Sequence, residues 1–85
     1  MQGNDDWIDF SDERITKKIG ARIKQIRISK GISQQDLAAL FNMEKSNFSR
    51  LEAGGTNATI QTLYTIAQNL SIELKEILLI SSTKS

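Results

Sequence analysis

The chain of 85 residues has no cysteine, no proline and no histidine. Without cysteine there is neither a disulfide framework nor thiol chemistry. Without histidine as well, the usual general base and most zinc ligands are missing. No apolar run approaches the ~20 residues a membrane helix needs, and the N-terminal stretch is acidic where a signal peptide is basic. These absences lead to the expectation of a cytoplasmic chain that uses no metal or cofactor and does not enter a membrane. The ten carboxylates leave a carboxylate-only enzyme open in principle. A small helical chain, however, has little room for a pocket of ~300 Å³ or more, so no enzyme activity is expected.

What is present is ordinary in amount and uneven in placement. A hydrophobic share of 39% with 25% charge fits one soluble globular unit, which would hide roughly 60–65% of its unfolded surface. Residues 1–14 carry Asp5, Asp6, Asp9, Asp12 and Glu13 against the single Arg14. Residues 15–85 carry ten basic and five acidic side chains. A basic body behind an acidic lead-in fits a moderate polyanion binder. The chain thus divides into an acidic N-terminal arm (1–14), a body (15–80) and a polar tail (81–85) expected to fray.

Five helices can be read along the body. Ser11 is suited to cap a helix starting near Asp12, with Asp12 and Glu13 at the positive end of its dipole. Ile15, Ile19, Ile23 and Ile26 then form one apolar stripe, Lys17, Lys18, Arg22 and Lys24 read as a solvated face, and Gly31 supplies a left-handed stop. Ser33 and Asp36 form an S-x-x-D capping pattern for a second helix with Leu37, Ala38, Leu40 and Phe41 as its apolar side. Asn42 breaks that helix in a residue type that tolerates the left-handed region. Met43, Phe48 and Leu51 give a third, closed by Gly54 and Gly55. After a loop of capping residues (Thr56 to Thr59), Ile60, Leu63, Ile66, Ala67 and Leu70 mark a fourth, and Leu74, Ile77 and Leu78 a short fifth. With no convincing strand, the fold class is all-α, a five-helix bundle.

Two short helices across a tight turn make a helix-turn-helix, a geometry with demands of its own. A small residue is needed where the helices cross (Ala38), a left-handed residue in the turn (Asn42), and a buried anchor one turn into the second helix (Phe48). All three stand at the required spacing. The run from Ser33 to Ala38, the run from Met43 to Gly54, and Thr59 to Leu63 with Ile66 to Leu70 together resemble the Xre/Cro/cI family of phage and bacterial repressors. The resemblance covers about Ile19 to Leu78 and implies a lambda-repressor-like DNA-binding fold, with double-stranded DNA as the partner.

The resemblance also implies roles for single residues. Lys45, Ser46, Arg50 and Glu44 match positions that reach base edges on the recognition helix. Gln34, Asn47, Asn57 and Thr59 match phosphate-contacting positions, and Arg27 with Glu52 matches an ion pair between the first and third helices. Three departures stand out: Asn42 replaces the usual turn glycine, Phe48 the usual Ile or Val anchor, and Ala58 a frequent loop proline. Glu44 stands where the family usually caps the recognition helix, often with Ser or Thr. Its charge is unfavourable near DNA unless it caps the helix or accepts from cytosine N4.

The run Ile77-Leu78-Leu79-Ile80 cannot all face inward on one helix, so Ile77, Leu79 and Ile80 are read as a homodimer surface. Trp7, Ile8 and Phe10 are expected to cover core edges or to join that surface. A competing reading is an interaction module, adaptor or antitoxin-like, that grips a second protein through the acidic segment.

Overall fold

The computed structural model describes residues 15–79. Ser11 with the helix start near Asp12, the aromatic cluster at 7–10, Ile80 and the tail 81–85 lie outside the described residues. Within them are five helices: α1 (Ile15–Ser29), α2 (Gln34–Leu40), α3 (Lys45–Glu52), α4 (Ile60–Asn69) and α5 (Leu74–Leu78).

The helices end where local chemistry ends them. α1, α2, α3 and α4 all stop in the same way, with one residue in the left-handed region just past the helix: Gly31, Asn42, Gly54 and Ser71. In each, that residue and the next turn their N–H groups back to carbonyls of the last turn. For α2 these bonds run from Asn42 N to Ala39 O (3.4 Å) and from Met43 N to Ala38 O (2.9 Å). The motif satisfies carbonyls that a helix end otherwise leaves orphaned. Glycine adopts the conformation freely, Asn tolerates it, and Ser71 occupies it at a cost. Ser33 Oγ accepts from Asp36 N at 3.0 Å and Thr59 Oγ1 from Thr62 N at 3.1 Å, which caps the starts of α2 and α4.

Each helix buries the stripe its sequence spacing describes. Ile23, Leu37, Phe48, Leu63, Ile66, Leu70 and Ile77 are fully enclosed and, with Ala38 and Ala67, form one continuous core. Each large side chain there contributes about 1.5–3 kcal/mol. α1 packs on α3 and α5, α2 on α3 and α4, and α4 on α5. At the α1–α3 crossing sits Gly20, where a Cβ would fall on the backbone carbonyls of Leu51 and Glu52.

Four residues depart from the sequence reading. Leu40 is 60% exposed. The inward residues of α2 are Gln34, Leu37, Ala38 and Phe41, an i, i+3, i+4, i+7 stripe, and Leu40 lies about 110° away from its centre. Ile60 is 59% exposed because the α4 stripe runs past Leu63 onto the molecular surface. Ile77 is enclosed by the chain's own core and so cannot meet a partner subunit, whereas its neighbour Leu79 is exposed. Arg22 is not part of a solvated face: it is half-buried, and its Nε donates to the carbonyl of Glu76 at 2.8 Å, tying α1 to α5.

Candidate nucleic-acid interface

The site is built around α3, whose two sides differ sharply. Phe48, Leu51 and Glu52 are buried, while Lys45, Ser46, Asn47 and Arg50 are exposed. At 100° per residue, Ser46 and Arg50 stand almost opposite the buried side, one turn apart. Asn47 and Ser49 flank that line. Lys45 leans toward the core side and is exposed because it opens the helix. Beneath, the anchor is aromatic: the Phe48 ring meets Phe41 edge to face, with centroids 6.1 Å apart. This explains how the packing accommodates Phe48 where a smaller aliphatic residue was the expectation.

A second set of contacts fixes where α3 stands. Arg27 of α1 holds Glu52 at two points, Nε to Oε2 at 2.6 Å and Nη2 to Oε1 at 3.1 Å. Both side chains are more than nine-tenths buried. Arg27 Nη1 also donates to Ile32 O at 2.6 Å, so one guanidinium joins the end of α1, the link to α2 and the end of α3. Paired and hydrogen-bonded, these charges set helix placement.

Gln34 adds a contact that the sequence reading did not include. Its Nε2 donates to Glu52 Oε1 at 2.8 Å, so its amide is tied to the ion pair and the side chain is half-buried. One amide hydrogen and the first-turn position of α2 remain for an outer ligand. The signal was present in the stripe of α2, where Gln34 occupies an inward position.

The remaining residues fall in two places. Glu44 and Asn47 share a polar groove of about 530 Å³ with Asn42, Thr59 and Gln61, between the turn and the start of α4. Glu44 occupies the N-cap position of α3 but makes no side-chain capping bond. Asn57 is exposed and lies on the far side of the 56–59 loop, beside Ile60. Gly55 passes close to Arg50, since a Cβ there would come 2.9 Å from Arg50 Cγ. Among the described residues no helix is long and apolar enough to cross a membrane, and no cluster of carboxylates is suited to a metal ion.

A profile of the helix-turn-helix family HTH_3 matches residues 23–77, which span all of the elements just described apart from the first half of α1 and the last residue of α5. The chain belongs to the helix-turn-helix family. This helix-turn-helix protein is 33% identical over 61 residues to the uncharacterised HTH-type transcriptional regulator y4dJ of Sinorhizobium fredii, covering 72% of this chain and 79% of that one. It is similar in structure to the restriction-modification controller protein C.AhdI from Aeromonas hydrophila, with a TM-score of 0.70 and 32% identity over 73% of this chain and 94% of that one. It is likewise similar to the wild-type restriction-modification controller protein C.Esp1396I, with a TM-score of 0.70 and 31% identity over 79% of this chain and 90% of that one. Family and fold agree on a DNA-binding transcriptional regulator of the lambda-repressor-like type.

Proposed function

We propose that this regulator is a homodimeric repressor that places α3 in the major groove of a palindromic operator. The observation that carries the reading is the line of Ser46 and Arg50, exposed and one turn apart, on the side of α3 away from the buried Phe48 and Leu51. Arg50 reads guanine through O6 and N7, Lys45 and Ser46 reach neighbouring base edges, and Glu44 accepts from cytosine N4. Gln34, Asn47, Asn57 and Thr59 contact phosphates and set the register.

In this reading residues 15–80 are the DNA-binding unit, the acidic arm 1–14 modulates it, and 81–85 form a frayed tail. Leu79, with Ile80 beside it, contributes to the dimer surface, and two copies of α3 then stand about 34 Å apart, one turn of DNA. Occupying a promoter in this way represses by exclusion. The protein acts in the cytoplasm and without a cofactor.

Selection from random duplex DNA at fixed salt tests the proposal. Enrichment of a two-fold symmetric site is expected. Enrichment of a single asymmetric site would remove the dimer, and an unenriched pool would favour the interaction module instead.

A further inference from the structure

The start of α1 and the loop before α4 enclose a largely apolar groove of about 230 Å³, with Asn57 at its edge. Ile15 and Ile19 form one wall, Ala58 and Ile60 the other, and Leu51 and Leu63 the floor. The floor residues are buried, the Ile15 wall is half-buried, and Ile60 at the rim is 59% exposed. An engineered apolar cavity of about 150 Å³ accepts a benzene molecule, so this groove has room for a larger aromatic ring. With Ile60 exposed at its rim, the groove offers apolar surface that a covering side chain would remove from water.

The occupant is identified by where the chain enters. The described residues begin at Ile15, which is itself a wall of the groove. Fourteen residues precede it, and they hold three large apolar side chains, Trp7, Ile8 and Phe10, within four positions. Phe10 is five residues upstream and Trp7 eight, so an extended chain reaches at most about 17 Å and 28 Å back from Ile15. That is ample for either ring to fold back into a groove that begins at Ile15. We propose that residues 1–14 fold back along α1 and seat Trp7, flanked by Ile8 and Phe10, in the groove between Ile15, Ile19 and Ile60. The inference does not depend on DNA binding, and its test uses none.

Trp7 is the only tryptophan, so its fluorescence reports this side chain alone. In the 85-residue chain at low concentration, blue-shifted emission and several-fold weaker acrylamide quenching than in the urea-unfolded chain are expected. Ile60→Glu should shift the emission red and restore quenching while far-UV circular dichroism stays unchanged. Ala58→Glu, on the same wall, provides the same readout if Ile60→Glu does not fold. Ile28→Glu is the control: Ile28 is 56% exposed and thirteen residues from Ile15, about 20 Å along α1, so Trp7 should not respond. Three outcomes overturn the proposal. They are a Trp7 as quenchable as in the unfolded chain, protection that survives both wall substitutions, and protection that fades on dilution, which would assign the groove to a second copy.

Discussion

Gln34, the first residue of α2, gives its amide to Glu52, the last residue of α3, at 2.8 Å, on the same carboxylate oxygen that Arg27 Nη2 holds at 3.1 Å. Three donor contacts from two helices therefore converge on one buried carboxylate. Unequal losses follow when they are removed one at a time. Glu52→Ala strands the Arg27 guanidinium in the interior and should cost about 3–5 kcal/mol. Gln34→Leu removes one bond to a charged group that keeps its main partner, and about 1.5 kcal/mol is expected. Urea unfolding followed by circular dichroism orders the two variants, and an equal loss would mean that Gln34 carries the pair.

At the α1–α3 crossing, Gly20→Ala sets two effects against each other. Alanine gains about 1 kcal/mol in helix propensity over glycine. Its Cβ would lie 2.5 Å from the Leu51 carbonyl oxygen, and backbone cannot step aside as a side chain can. Overpacking of this kind costs about 1–3 kcal/mol, here at the upper end, so a net loss is expected. A melting temperature that rises in Gly20→Ala would show that the helices separate freely.

Ser71→Gly should stabilise. Ser71 holds φ at 60°, which costs an L-residue about 1–2 kcal/mol. Glycine removes that strain and returns about 0.5–1 kcal/mol through the entropy of the unfolded chain. The gain of roughly 0.5–1 kcal/mol that remains should raise the melting temperature of a chain this size by a few degrees. Asn42→Gly should gain less, because asparagine already tolerates the left-handed region.

In DNA binding, Arg50→Ala should lose about 1–3 kcal/mol and relax specificity at one base pair. Gly55→Ala should move the same position while leaving stability nearly untouched. Its added methyl meets the flexible stem of Arg50, 2.9 Å from Cγ, and displaces that side chain at little cost to the fold. Selection profiles of the two variants should therefore change at the same base pair. Changes at different base pairs would separate Arg50 from Gly55.

Asn57→Ala should weaken all DNA sites alike, since phosphate contacts carry no base identity. Asn57 is uncharged, so the dependence of affinity on salt should keep its slope. A loss confined to one operator sequence would move Asn57 from the phosphates to the bases.

Much of this fold could be read from local chemistry. Ser33 and Asp36 meet across the first turn of α2, Asn42 turns left-handed after it, and Phe48 is fully buried, each from signals contained within a few residues. Where the structure departs from the local pattern, the deciding neighbour is distant or the helix is short. Leu40 looks apolar and sits beside apolar residues, yet in seven residues of α2 the stripe is narrow enough to leave it outside. Ile77 needed the whole bundle to show that the core, and not a partner, encloses it. The Gln34–Glu52 bond spans eighteen residues, and its one trace in the sequence is the inward place of Gln34 in the α2 stripe, which does not name the partner. Ser71 was hidden for another reason, because serine rarely serves as a left-handed stop.

The two ends of α3 are held unequally. Glu52 is clamped from two sides, whereas the Glu44 end has no side-chain cap. Phe48, fully enclosed, pins the middle of the helix, so the play is confined to the first turn, where Lys45 and Ser46 stand, while Arg50 lies between Phe48 and the clamped Glu52. Tolerance for operator variation should therefore be graded along the helix, generous at bases facing Lys45 and strict at the one facing Arg50.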